Sequence, residues 1–126
     1  MREGVAKVLD DDDHEFVDLL HSLGVQRNVA KVITYLAFAG ESTSREIEHG
    51  TGLRQPEVSI AMRTLRGENW VREWEIKSTE GKGRPHKVYA LNTPVDEIIK
   101  IIEEKRQKES AKAMESIQKL KDLASS

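Results

Sequence analysis

The chain has no cysteine, which removes disulfides, thiolate nucleophiles and cysteine-ligated zinc from consideration. No apolar run approaches the length of a membrane span, and the amino terminus lacks the basic, apolar, small-residue order of a secretory signal, so a soluble, cytoplasmic protein is expected. Its histidines, His14, His21, His49 and His86, are scattered without metal-ligand spacing. No nucleophile motif or phosphate-binding glycine loop accompanies them, so no catalytic residue, metal site or cofactor is expected. Proline occurs only three times, at Pro56, Pro85 and Pro94, each where the pattern of the chain changes. What remains is 126 residues, 37% hydrophobic and 33% charged, enough for one small core under a charged surface plus an appendage.

The most informative stretch is residues 53–67, whose pattern predicts an amphipathic helix beginning near Arg54 or Gln55, with proline close to its start and Gly67 at its end. Val58, Ala61, Met62 and Leu65 recur at the spacing that lines one side of a helix and should face a core. Gln55, Ser59, Arg63 and Arg66 fall in another stripe, two hydrogen-bonding groups followed by two guanidinium forks. A helix predicted over residues 44–49 precedes it across Gly50-Thr51-Gly52, and two short helices joined by a tight glycine turn describe a helix-turn-helix. In that motif the second helix lies in the major groove of DNA. The plainer alternative is a pair of core helices with solvated arginines.

The flanking segments support the first alternative. Residues 10–13 are four consecutive aspartates beside His14, best read as the cap of a following helix, 14–23, with Asp13 or a neighbour as the capping residue. That helix presents Phe16, Leu19, Leu20 and Leu23 as a core or dimer face, and a second amphipathic helix runs over 26–39. Thr43 with Glu46 three residues later is the capping-box pattern. Exposed amides at such a start suit a phosphate, which makes Ser42, Ser44 and Arg45 candidate backbone contacts. Residues 69–77 then alternate, with Trp70, Arg72, Trp74 and Ile76 on one face, as in a half-buried strand. A loop over 78–87 and a second strand over 88–91 complete a hairpin. The loop sequence Gly81-Lys82-Gly83-Arg84-Pro85-His86-Lys87 offers Lys82, Arg84, His86 and Lys87 to phosphates or to a narrow minor groove. The fold class expected is therefore mainly α with a small β-hairpin: a winged helix-turn-helix with a long C-terminal helix.

Residues 26–91 resemble the winged-helix transcription regulators of the broad MarR-like and TrmB-like group, particularly its small archaeal members. The matching runs are Ser42-Thr43-Ser44-Arg45-Glu46-Ile47, Thr51-Gly52-Leu53, and Gly81-Lys82-Gly83-Arg84-Pro85 with Tyr89. The resemblance implies a dimer on double-stranded DNA, with Arg54, Gln55, Ser59 and Arg63 reading bases and Lys82, Arg84 and His86 on the wing.

Net charge is -2, which is unhelpful for DNA, but residues 1–23 hold 2 basic and 7 acidic side chains while residues 42–94 hold 9 and 7. Thr93-Pro94 punctuates the chain, and residues 95–124 read as one helix of roughly 45 Å, with a break near 105–110 left open. Ile99, Ile102, Ala113, Ile117 and Leu120 are its candidate dimer contacts, the last three following coiled-coil spacing. The organisation expected is an acidic segment 1–13, a winged domain 14–93 and a dimerisation helix 94–126. Net acidity and the acidic amino terminus also fit a different use, a winged helix serving as a protein-interaction module in a transcription or chromatin assembly. The sequence does not specify an operator, a small-molecule effector, or repression versus activation.

Overall fold

The aspartate run is a reciprocal helix cap. In the computed structural model, which describes residues 8–77 and 85–126, the Asp10 carboxylate accepts from Asp13 N at 2.9 Å, and the Asp13 carboxylate accepts from Asp10 N at 3.0 Å. Two of the amides that a helix start leaves bare are thus satisfied, and Asp11, Asp12 and Asp13 sit at the positive end of α1, Asp11–Ser22. The helix begins three residues earlier than its apolar pattern suggested. Its inward face also differs from expectation: Asp13, Val17 and Leu20 are buried, whereas Leu19 and Leu23 are 59% and 42% exposed. Phe16 is half-buried, its ring edge-on to Phe38 at 5.8 Å.

The central element is α2, Arg27–Ala39, in which Val29, Ala30, Val32, Ile33, Thr34, Tyr35 and Leu36 are all buried. A helix apolar on nearly every side must be surrounded, and α2 packs against α1, α3 (Ser44–Thr51), α4 (Gln55–Gly67) and the sheet. Thr34 is accommodated because its hydroxyl donates to Ala30 O at 2.7 Å. Tyr35 is not satisfied in this way, for its buried hydroxyl has no hydrogen-bond partner among the described residues.

The helix pair α3 and α4 is fixed by local chemistry. Thr43 accepts from Glu46 N at 3.2 Å and Glu46 accepts from Thr43 N at 2.9 Å, completing the expected capping box. At the other end Gly52 adopts φ +75°, a left-handed conformation that glycine takes without steric penalty, and its N–H donates to Glu48 O at 2.9 Å. Thr51 donates to Ile47 O at 2.6 Å and accepts from Leu53 N at 3.2 Å, so one buried hydroxyl ties both sides of the turn. With Leu53 buried beside it, the angle at which α4 leaves α3 is set before α4 meets the core.

Three strands, β1 (Ser42–Thr43), β2 (Val71–Ile76) and β3 (His86–Leu91), form an antiparallel sheet in the order β1-β3-β2. Ser42 pairs with Tyr89 and Glu73 with Tyr89, which places β3 between the short strand and the hairpin partner. The two-residue β1 was not expected. The tryptophan face of β2 is not its core face: Val71, on the opposite side, is buried, while Trp74 is half-buried and Ile76 is 51% exposed. The Arg72 guanidinium lies 5.0 Å from the Trp74 ring centroid, a cation–π contact that covers part of that face instead.

The chain divides into two units, one ending at Val95 and the other Asp96–Ser126. The second is made of α5, which runs Val95–Ser125, 31 residues without a break, and so begins one residue before the division.

Candidate nucleic-acid interface

Helix α4 has one wholly apolar side. Val58, Ala61, Met62 and Leu65 are at most 1% exposed, so the rotation of α4 about its axis is fixed by packing. Gln55, Ser59, Arg63 and Arg66 are consequently exposed. Gln55 Nε2 donates to Ser59 Oγ at 2.9 Å, an arrangement one turn long that holds the amide in place along the helix. Glu57, the acid nearest the helix start, uses its carboxylate to accept from Arg54 N at 2.9 Å and so caps α4. Arg45, Arg54 and Arg63 are exposed and make no ion pair among the described residues.

Arg66 differs from Arg63. Its Nη1 lies 2.6 Å from Glu73 Oε1 on β2, and Lys87 Nζ of β3 lies 3.3 Å from Glu73 Oε2. Burial works against ionisation of Glu73, but hydrogen bonds from Arg66 and Lys87, together with their charges, outweigh it and hold the carboxyl below its ordinary range. The neighbouring Tyr89 hydroxyl is pushed up, first by burial and then by the Glu73 charge. Two cations that the sequence offered to DNA thus share one carboxylate that fastens the end of α4 to the sheet. Nothing local in the sequence signals this, because the partners are seven and fourteen residues from Glu73.

The start of α3 requires one correction. Ser42 is only 1% exposed and its hydroxyl donates to Gly40 O at 3.0 Å, so its side chain is not available to a phosphate; pairing with β3 buries it. Ser44 is half-buried and donates to Glu48 Oε2 at 3.3 Å, while Arg45 is exposed. On the wing, His86 and Lys87 are exposed at the start of β3. Lys82 and Arg84 lie outside the described residues.

Among the candidate dimer contacts of α5, Ala113, Ile117 and Leu120 are exposed, Ile99 is 41% exposed and Ile102 is buried. Met114 and Leu123, not among those candidates, are also exposed, at 63% and 73%. Among the described residues no helix is long and apolar enough to cross a membrane.

These features define a winged helix-turn-helix: a helix pair set by a glycine turn, a second helix with one buried and one polar side, and a β-hairpin directly after it. No protein-family model matches the chain, and no curated protein does. Solved structures do. The chain is similar to NMB1585, a MarR family regulator from Neisseria meningitidis, at 17% identity over 86% of this chain and 84% of that one, with a TM-score of 0.51. It is similar to the transcriptional regulator PA4135 at 18% identity, covering 89% of each chain, with a TM-score of 0.53. A third likeness is to a mutant of MepR from a multidrug-resistant S. aureus clinical isolate, at 15% identity over 83% and 75% of the two chains, with a TM-score of 0.52. At these identities the likeness is one of fold, and the fold is the winged helix of MarR-type regulators.

Proposed function

We propose that the protein is a sequence-specific, double-stranded DNA-binding transcription regulator that acts as a homodimer, and that within its fold it belongs with the small archaeal MarR-like and TrmB-like regulators. The observation that carries this reading is the two-sidedness of α4, where a side filled by Val58, Ala61, Met62 and Leu65 locks Gln55, Ser59 and Arg63 outward. Helix α4 enters the major groove, where an arginine fork pairs with guanine O6 and N7 and a glutamine amide with adenine. Arg54 reads bases with Gln55, Ser59 and Arg63, while Arg45 and the wing residues Lys82, Arg84 and His86 contact backbone or minor groove and set affinity and its salt dependence. The exposed α5 residues Ala113, Ile117 and Leu120 join two copies, so that two reading helices face an inverted repeat with half-sites about one helical turn apart.

Selection of bound fragments from random duplex DNA tests the reading and returns the half-site spacing. On the selected site Arg63→Ala should cost about 1 to 3 kcal/mol and relax specificity, whereas Arg84→Ala should weaken all sequences evenly. Equal, unselective losses for both would refute the division of roles. Affinity that ignores salt would instead favour a protein-interaction module, for which the exposed Leu19, Leu23 and Phe38 would be the contact residues.

A further inference from the structure

The outward side of α4 carries a second row that is not polar. Pro56, Ile60 and Thr64 are four residues apart and all exposed, so they line up along the helix beside Ser59 and Arg63. Ile60 is 57% exposed, in the middle of a helix whose other large apolar side chains, Val58, Met62 and Leu65, are at most 1% exposed. The Thr64 hydroxyl is turned back toward Ile60 O at 3.5 Å, so it is engaged with the backbone of its own helix. A single exposed isoleucine ordinarily requires no explanation. This one lies, with Arg63, on the side of α4 away from its buried residues, the side that a helix seated in a groove turns toward the bases.

Resting on the reading of α4 as the DNA-reading helix, we propose that Ile60, flanked by Pro56 and Thr64, is a specificity-determining residue that recognises the 5-methyl group of thymine. In the major groove that methyl is the one apolar group a base pair presents, and it distinguishes thymine from cytosine at the same ring position. Ile60 supplies branched apolar surface to cover it, and Arg63 lies one turn further along the same side. Three residues of helix rise about 4.5 Å, against 3.4 Å between stacked base pairs. The thymine read by Ile60 therefore lies within one or two base pairs of the guanine read by Arg63. The two rows divide the work: the polar row reads hydrogen-bonding edges and the apolar row reads methyl groups.

The test uses the full-length protein and the duplex obtained by selection, with each thymine replaced in turn by 2'-deoxyuridine, which removes the methyl and nothing else. Wild-type protein should lose about three- to tenfold in affinity at one thymine per half-site, the scale expected for a methyl returned to water. That thymine should neighbour the guanine whose replacement is tolerated by Arg63→Ala. Ile60→Ala should bind the thymine duplex more weakly by a similar factor and no longer distinguish it from the deoxyuridine duplex, while Ile60→Val keeps most of the distinction. Because Ile60 is on the surface, circular dichroism of both variants should match wild type. The proposal is overturned if wild type is indifferent to deoxyuridine everywhere, if the selected site has no thymine beside the Arg63-dependent guanine, or if Ile60→Ala keeps the wild-type preference. Failure to bind any duplex would overturn the underlying reading of α4, a result distinct from binding that ignores the methyl.

Discussion

Replacing Glu73 by glutamine should make the protein bind DNA more tightly at low salt, and with a steeper dependence on salt, although Glu73 itself touches no DNA in the proposed arrangement. The carboxylate holds Arg66 at 2.6 Å and Lys87 at 3.3 Å, so the three groups together carry one net positive charge, and the substitution leaves two. Each additional phosphate neutralised steepens the slope of log affinity against log salt by about 0.9. Release of one or both cations should therefore raise the slope by about 1 to 2, and each new contact adds roughly a three- to fourfold loss between 50 and 200 mM salt. The cost to folding is small. The Glu73, Arg66 and Lys87 side chains are 26%, 44% and 54% exposed, and pairs of this kind contribute about 0.2 to 1 kcal/mol each. Protonation reproduces the substitution. Since the carboxyl is held below its ordinary value, its stabilising contribution is complete above the unfolded-state value of about 4.3 and is lost as pH falls through the lower folded-state value. The stability difference between wild type and Glu73→Gln should thus be constant from pH 8 to pH 5 and vanish in stronger acid. Fluorescence-anisotropy titrations on one duplex at four salt concentrations measure the slope, and thermal melts across pH measure the stability. An unchanged or shallower slope for Glu73→Gln would show that Arg66 and Lys87 reach phosphates from within the ion pair, or not at all, and the competition between carboxylate and DNA would be wrong.

Tyr35→Phe should leave stability unchanged or raise it by up to about 1 to 3 kcal/mol, because the hydroxyl removed is buried without a partner among the described residues; a melt showing marked destabilisation would mean that the hydroxyl is satisfied after all. Ile117→Asp should halve the mass seen by sedimentation and weaken binding to the two-half-site duplex by roughly a hundredfold, with single half-site binding retained. An unaltered mass would place the dimer contacts elsewhere than on α5.

Much of the fold was legible because its determinants are local. The Thr43 and Glu46 box, the glycine at position 52 and the run Val58, Ala61, Met62, Leu65 each declare a boundary or a face within about two helical turns. The errors share a cause. Period alone marked Leu19 and Leu23 for a core or dimer face, of which the core alternative does not hold, and Trp74 and Ile76 as the apolar side of a strand, but what covers a face depends on which element lies across from it. The short β1 was invisible for the same reason: two residues have no period, and Ser42 and Thr43 become a strand only because Tyr89 and Val88 run beside them.

The interface shows the same limit in sharper form. Helical spacing correctly placed Arg63 and Arg66 on the outside of α4 and could not tell them apart, because direction is a local property and engagement is not. Glu73, reached through the turn after Gly67, takes Arg66 and leaves Arg63 without an ion pair among the described residues. That difference follows the demands of the motif. A helix that reads a groove does so chiefly with its N-terminal portion, which leaves its last turn available to pair with the sheet. Arg66 in the last turn is placed to brace the helix against the sheet, and Arg54, Gln55, Ser59 and Arg63 in the earlier turns are placed to read. Three of the seven acidic residues that depress the net charge of this region are engaged in holding the motif together. Glu46 and Glu57 turn their carboxylates onto the amides of their own helix starts, and Glu73 is paired with two cations. A net charge of -2 is therefore a poor guide to the potential that a duplex would meet along α4.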